Sequence, residues 1–359
     1  MAGREPMNST LIATWLEPLG VEFRSSFDLR TVILLVLILS GLTVALLIGR
    51  LIGRRSDSTI DPTIVRAFNR RVAAWLTMTS ILAVASIVSR YVVVGMFGLL
   101  SFWALREFVT MTPTRRADHR ALFWTFFVLT PAQYVLIGIG ESCFPFFATM
   151  IPVYASLLLP ARIAFTGDHK RFLERAAKIQ FGLLVCVYSL SFAPALLDMR
   201  LRQYNPGATS DADRFVPWTS GGPGLLFFFV LMVLLGDLLQ FTWDKLVGRH
   251  LISPAVNGTK TWEGLCGGVI SVGIIGALVQ WILQVTPFYV YGAGFMAALV
   301  AFMGACGSLT MSAIKRDRGI RDYGTLVHGH AGILDRIDSL CFAAPMFYYV
   351  TRYFLGLPS

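Results

Sequence analysis

Long apolar stretches alternate with short charged segments along almost the whole chain. Stretches close to 20 residues, the length that a helix needs to cross a bilayer, recur through it. They lie at 31–49, 73–89, 91–105, 121–140, 142–160, 179–197, 223–243, 264–284, 291–313 and 339–357. The pattern predicts an all-α fold, a polytopic transmembrane bundle of about ten helices. The two spans beside Arg90 form either one long bent helix or a short hairpin.

The composition agrees with a membrane protein and with one membrane domain. Hydrophobic residues make up 55% of the 359 residues and charged residues only 14%, far from the averages of a soluble domain. No internal repeat or low-complexity linker divides the chain. We predict an external segment at 1–30, N-terminal helices at 31–220, and a C-terminal region at 221–359 that carries the candidate chemistry.

Basic residues set the predicted orientation. If the N-terminus is external, 23 of the 31 lysines and arginines fall in five loops on the cytoplasmic side, as the positive-inside rule requires. The net charge of +10 is spread over these loops and forms no single stripe or arm. This distribution argues against a nucleic-acid partner and favours anionic membrane lipids.

One cytoplasmic loop, 237–264, mixes acids, bases, glycines and hydroxyls. Asp237 interrupts an apolar run and Asp244 follows seven residues later, so both lie on one helix face. An intramembrane carboxylate is either a structural hydrogen-bonding group or a cation or substrate ligand, and the second acid favours a ligand. Lys260 and Thr261 lie in a glycine-containing turn whose residue types suit a phosphate, although a polar turn before a helix looks similar.

The second mixed loop, 308–338, carries the strongest signal. Bases and acids alternate with glycines between two apolar runs, at Lys315, Arg316, Arg321, Asp322, Asp335, Arg336 and Asp338. Dipole complementation or snorkelling explains single residues but not the alternation. Asp335 and Asp338 share a helix face. His328 and His330 form a poor zinc signal without a third ligand, so phosphate contact is the better interpretation.

Four short motifs in this segment resemble the C-terminal signature of the phosphatidate cytidylyltransferases, also called CDP-diacylglycerol synthases. The motifs are Ser312-x-x-Lys315-Arg316, Arg321-Asp322-x-Gly324, Gly329-His330-x-Gly332 and Asp335-Arg336-x-Asp338. Upstream, Asp237, the element from Lys260 to Gly264, and Ala104 to Phe108 are similar to further family elements. The resemblance covers most of the chain by layout, and single motifs match only in its last third.

The resemblance implies a membrane enzyme that joins CTP and phosphatidic acid into CDP-diacylglycerol and pyrophosphate, with Mg²⁺ and often K⁺. Such an enzyme is expected in the bacterial inner membrane with its site on the cytoplasmic face, and the family suggests a homodimer. Bases would hold phosphates and acids would hold cations, because a phosphate monoester is already mostly a dianion near neutral pH. We therefore assign to catalysis Lys315, Arg316, Arg321, Asp322 and Arg336. The residues assigned to CTP and phosphate binding are Lys260, Thr261, Lys315, Arg316, His330 and Arg336. The residues assigned to the metal are Asp237, Asp335 and Asp338, with Asp322 and Asp244 as further candidates.

The chain departs from the family pattern most seriously at Ser308. The family carries there an acid expected to bind metal, and a hydroxyl supplies no negative charge. Two other functions therefore stay open beside the enzyme: a catalytically impaired homologue that binds nucleotide or anionic lipid, and a lipid or anion transporter.

Overall fold

The structure is a computed structural model that describes residues 28–54, 62–111, 114–204, 215–218, 222–319 and 332–356. Ten long helices dominate these residues. They are α1 (Leu29–Arg54), α2 (Pro62–Val88), α3 (Arg90–Met111), α4 (His119–Ile139), α5 (Glu141–Ala164), α6 (Phe172–Asp198), α7 (Gly222–Leu246), α8 (Trp262–Leu283), α9 (Val290–Asp317) and α10 (Leu334–Leu355). Short π-helical segments interrupt α4, α5 and α6 at Thr125–Leu129, Met150–Ala155 and Leu184–Ser189.

The predicted all-α membrane bundle is confirmed. Among the described residues, nine helices are long and apolar enough to cross a membrane, and α10 is the tenth long helix. The helical conformation is interrupted between α2 and α3 at Ser89, whose hydroxyl accepts from Tyr91 N at 3.3 Å. Several helices extend beyond their apolar windows into polar sequence. Asp335 and Arg336 therefore lie in the first turn of α10.

The last four helices form the tightest part of the bundle. α8 packs along both α7 and α9, and α9 packs along α10. The first half of helix α7 is buried on all sides, with Phe227, Phe228 and Phe229 fully inside, as expected for a central helix. At Gly268 a Cβ would lie 3.1 Å from the Gln240 backbone. This glycine lets α8 approach α7 closely, as small residues commonly do between membrane helices.

Two short hairpins are the only strands in the described part of the chain. β1 (Arg202–Tyr204) pairs with β2 (Phe215–Pro217), and β3 (Leu251–Ser253) pairs with β4 (Asn257–Thr261). Both pairs are antiparallel. The β3–β4 hairpin connects α7 to α8 and lies beside the end of α9, since Asn257 Nδ2 donates to Ser312 Oγ at 3.2 Å.

Candidate active site

A cavity of about 430 Å³ lies where α2, α7, the β3–β4 hairpin, α9 and α10 meet. Both mixed loops contribute to it. Its lining is Arg70, Arg71, Ala74, Trp75, Met78, Asp237, Leu238, Asn257, Thr259, Lys260, Ser308, Ser312, Lys315, Asp335, Arg336 and Asp338. The cavity thus brings together three of the predicted metal ligands and three of the predicted phosphate-binding cations.

Two carboxylates meet across the cavity from different helices. Asp237 comes from the middle of α7, and Asp338 comes from the second turn of α10 and is 8% exposed. Ser339 Oγ donates to Asp237 Oδ1 at 2.7 Å and lies 3.4 Å from Asp338 Oδ1. The two carboxylates are therefore no further apart than the sum of these distances. Like charges this close repel in a poorly hydrated place, so the pair favours a bound cation.

Lys260 provides the central positive charge. It lies on β4, is 9% exposed, and its Nζ donates to Gln240 Oε1 at 2.6 Å. Burial lowers the pKa of the Lys260 amine, and the nearby carboxylates of Asp237 and Asp244 oppose this shift. A buried ammonium facing a polar cavity is costly unless an anion compensates it, so its position suits a phosphate.

Asp244 and Thr261 fix the hairpin that carries Lys260. Asp244 Oδ1 accepts from Thr261 N at 2.9 Å and from Thr261 Oγ1 at 2.7 Å. Thr261 also caps α8, because its hydroxyl accepts from Gly264 N at 3.0 Å. A Cβ at position 264 would overlap the Asp244 carboxylate, so the glycine there admits the acid. The element from Lys260 to Gly264 thus positions the lysine through the contacts of Thr261 with Asp244 and Gly264.

Lys315 and Asp335 form an ion pair that connects the end of α9 to the start of α10. Both side chains line the cavity. Arg336 also lines it, and its side chain is exposed. The pair holds both side chains at the cavity, and their assigned roles toward phosphate and metal stay predictions.

Glu107 on α3 holds the start of α10. Its Oε1 accepts from Ile333 N at 3.0 Å and its Oε2 accepts from Leu334 N at 2.8 Å. A carboxylate at a helix N-terminus satisfies free N–H groups and complements the helix dipole. Glu107 therefore positions the helix that carries Asp335 and Asp338. In the sequence, this acid stands out only as part of the element from Ala104 to Phe108.

The other predicted site residues fall into two groups. Asp244, Thr261 and Arg316 do not line the cavity, and Arg316 Nε instead donates to Val256 O at 3.2 Å. Arg321, Asp322 and His330 lie outside the described residues, so their assigned roles stay predictions. Among the residues that the structure does describe, no three histidine, cysteine or acidic side chains are arranged to hold a metal ion.

Arg70, Arg71 and Trp75 on α2 line the cavity although the motifs did not indicate them. In the sequence, Arg70 and Arg71 are two of the 23 basic residues in the predicted cytoplasmic loops and indicate only the orientation. A signal was present nevertheless, because Arg71, Ala74, Trp75 and Met78 have the spacing of one helix face.

Comparison with known proteins agrees with this arrangement. A profile described as "Cytidylyltransferase family" matches residues 69–354. The chain belongs to the cytidylyltransferase family. The matched range begins just before Arg70 and includes every described residue that lines the cavity.

Similar individual proteins include one without an assigned activity and several enzymes. The uncharacterized protein YnbB of Escherichia coli K12 is 34% identical over 285 residues, which is 79% of this chain and 87% of that protein. The phosphatidate cytidylyltransferase of Bacillus subtilis is 27% identical over 237 residues, 65% of this chain and 77% of that enzyme. The phosphatidate cytidylyltransferase of Pseudomonas aeruginosa is 38% identical over 124 residues, 34% of this chain and 46% of that enzyme.

Proposed function

We propose that this protein transfers the cytidylyl group of CTP to the phosphate of phosphatidic acid, giving CDP-diacylglycerol and pyrophosphate. The observation that carries the proposal is the cavity in which Asp237 and Asp338 lie together with Lys260, Lys315 and Arg336. It combines a cation-binding pair with phosphate-binding charges at one end of a membrane bundle. Family membership and the named enzymes among the relatives support this reaction.

The chemistry needs positioning and charge neutralisation more than a protein base. The acceptor is a phosphate monoester whose second pKa is about 6, so its oxygen is already a nucleophile near neutral pH. It attacks the α-phosphorus of CTP in line, and the bond to the β-phosphate oxygen breaks. Lys260, Lys315 and Arg336 hold phosphate oxygens and stabilise the charge that collects on the leaving pyrophosphate.

The carboxylates fit magnesium. Mg²⁺ is commonly bound by one or two carboxylates and completes its shell with water and substrate phosphates. Asp237 and Asp338 supply such a pair, and the lack of a three-residue metal cluster among the described residues is no obstacle in this arrangement. When bound, Mg²⁺ would neutralise charge on the triphosphate. A role for K⁺ stays a prediction.

The cytoplasmic face of the inner membrane is the proposed location of the site, because CTP is available there. The positive-inside rule supports it. Three of the five basic loops contribute cations to the cavity at this end of the bundle: Arg70 and Arg71, Lys260, and Lys315 with Arg336. A homodimer stays a prediction from the family.

Ser308 favours a second candidate, a homologue that binds CTP or anionic lipid without turnover. This side chain lines the cavity where the family resemblance predicts an acid. The cavity therefore has one negative charge fewer than the family pattern implies, which weakens cation binding. The two candidates differ in turnover and agree in nucleotide binding.

Incubation of the full chain with labelled CTP tests both candidates. The chain is purified, placed in nanodiscs that contain phosphatidic acid, and supplied with Mg²⁺ and CTP labelled at the α-phosphate. We expect label in the extracted lipid, and none after chelation with EDTA. No labelled lipid under several cation conditions, with CTP binding retained, would favour the second candidate. Nanodiscs with other lipid phosphates, such as a polyprenol phosphate, test the choice of acceptor.

A further inference from the structure

The cavity has one wall that none of the motif residues explains. Helix α2 presents Arg71, Ala74, Trp75 and Met78 to it, at spacings of three and four residues that place them on one helix face. Arg70 lies beside Arg71 at the mouth. From Arg71 to Met78 this α2 stripe runs about 10 Å along the helix axis, at 1.5 Å per residue. The stripe is positively charged at its Arg71 end and apolar from Ala74 to Met78.

The two arginines are available to a ligand. Within the part of the chain that the structure describes, neither forms an ion pair, whereas Lys315 pairs with Asp335 and Arg175 pairs with Asp118. Both arginine side chains are exposed. The Arg71 guanidinium lies over the Phe241 ring, 4.9 Å from its centroid, which fixes its place at α7 without neutralising it.

Arg71 lines the same cavity as Asp237 and Lys260, and its charge acts on both of these groups. A phosphate held by Arg71 would therefore lie beside the carboxylate pair and the central ammonium. Guanidinium groups match phosphate oxygens in a two-pronged geometry that lysines cannot offer.

The order of chemistry along the stripe matches a phospholipid. A lipid phosphate monoester carries its charge at one end and its apolar chains directly behind it. The stripe places arginines at one end and Ala74, Trp75 and Met78 behind them, and Leu238 of α7 adds a further apolar contact. The triphosphate of CTP has no apolar tail that could match the apolar part of this wall.

We propose that the α2 stripe binds the acceptor lipid: Arg70 and Arg71 hold the phosphate monoester of phosphatidic acid, and Ala74, Trp75 and Met78 contact its glycerol esters and the first methylenes of its chains. This assignment rests on the proposed function for its consequence in catalysis. It adds lipid-binding residues from the N-terminal helices to a site otherwise built from the C-terminal third.

The first test separates lipid binding from nucleotide binding. Arg71→Gln should raise the apparent KM for phosphatidic acid, measured as mole fraction in mixed micelles, about tenfold, because it removes a charge-assisted phosphate contact. The KM for CTP should change less than about twofold. Arg71→Lys should fall between these values. Arg120→Gln, an exposed arginine outside the cavity, is the matched control and should leave both constants unchanged.

Two outcomes of this test contradict the proposal. An equal rise in both KM values would assign Arg71 to the triphosphate. Unchanged values in Arg71→Gln and in the double variant with Arg70→Gln would leave the arginines as membrane anchors only.

The second test needs no turnover, so it remains decisive if the protein makes no CDP-lipid. Trp75 fluorescence is isolated by subtracting the signal of Trp75→Phe in nanodiscs that carry lipids with brominated chains. Brominated phosphatidic acid should quench Trp75 more than brominated phosphatidylcholine, and Arg71→Gln should abolish the difference. Equal quenching by the two lipids in the wild type overturns the assignment, whatever the CTP assay shows.

Discussion

The two ends of the bundle both concentrate charge, yet they use it differently. At the cavity end, Asp237, Asp338, Lys260 and Arg336 face a common space of about 430 Å³. At the other end, the charges face each other. Fourteen residues, or about 20 Å of helix, separate Asp338 from Arg352 on α10.

The charges of the opposite end form a closed network. Arg90 pairs with Asp198 and donates to Gly138 O at 2.8 Å. Asp198 Oδ2 accepts from Glu141 N at 3.1 Å, and Glu141 in turn pairs with Arg352 at 2.5 Å. The cavity beside Glu141 and Asp198 is about 10 Å³, which is room for at most one water molecule.

This contrast separates charges that face a cavity from charges that are paired with each other. Charge at a membrane boundary is costly at either end, so its presence alone does not separate the two. At the opposite end, mutual pairing offsets the desolvation cost of the charges, and these charges are then not available to a ligand. At the cavity end the pairing is incomplete, and the remaining field is available to a charged substrate.

Replacement of Asp338 should produce the largest effect. Asp338→Asn keeps the size of the side chain and an oxygen that can accept from Ser339 N, but it removes one charge of the carboxylate pair. Loss of one preorganised electrostatic contact typically costs about 10² to 10³ in rate. We expect the initial rate of CDP-lipid formation at saturating substrates to fall at least about a hundredfold.

Asp198→Asn is the matched change at the opposite end. It breaks the pair with Arg90, which is partly exposed, so we expect it to cost about 1 kcal/mol of stability and to lower the melting temperature in detergent. The rate of the folded protein should stay within about twofold. The comparison fails if Asp198→Asn abolishes turnover while Asp338→Asn retains it.

Glu107→Gln should have a smaller effect, because it acts through the position of α10. Glutamine has one acceptor oxygen, so one of the N–H groups of Ile333 and Leu334 loses its partner, at about 1 kcal/mol. We expect kcat to fall about fivefold, with faster hydrogen exchange at these two amides.

Glu141→Gln is the control for that change. It removes the pair with Arg352 at the other end of the bundle. The melting temperature should fall while kcat and the exchange of Ile333 and Leu334 stay as in the wild type. Identical exchange in Glu107→Gln and the wild type would remove Glu107 from the positioning of α10.

Ser308→Asp should have the smallest effect, and it would increase the difference in unpaired charge between the two ends of the bundle. It restores the acid that the family pattern contains and adds negative charge to the cavity. The Mg²⁺ concentration for half-maximal rate should fall about threefold, because a further carboxylate strengthens divalent cation binding. Ser308→Asn has similar size without charge and should leave this concentration unchanged. A gain of turnover from an inactive wild type would favour the second candidate function.

Much of the site could be predicted from local patterns. Asp335 and Asp338 share a helix face, and the structure confirms that both lie at the start of one helix. The structure also brings Lys260 and Asp237 to one cavity, although 23 residues separate them in the chain. Their assigned roles in binding and catalysis stay predictions.

Other features could not be predicted from local patterns, because they depend on contacts between residues that are far apart in the chain. Glu107 lies more than 200 residues before the two amides that it accepts from. The structural role of Asp244 also depends on contact with the hairpin, since its spacing from Asp237 alone suggested a second cation ligand. By sequence, Arg70 and Arg71 are indistinguishable from other juxtamembrane bases, and only the packing of α2 places them at the cavity.

The helices themselves follow from composition, because an apolar segment of about 20 residues in a bilayer must satisfy its backbone hydrogen bonds internally. Motif chemistry likewise pointed to phosphate and cation binding in the last third of the chain. The choice between paired and available charge depended on tertiary packing. Charged residues occur near helix ends on both sides of the bundle, and the crossing of α2, α7, α9 and α10 decides which of them face each other and which face a cavity.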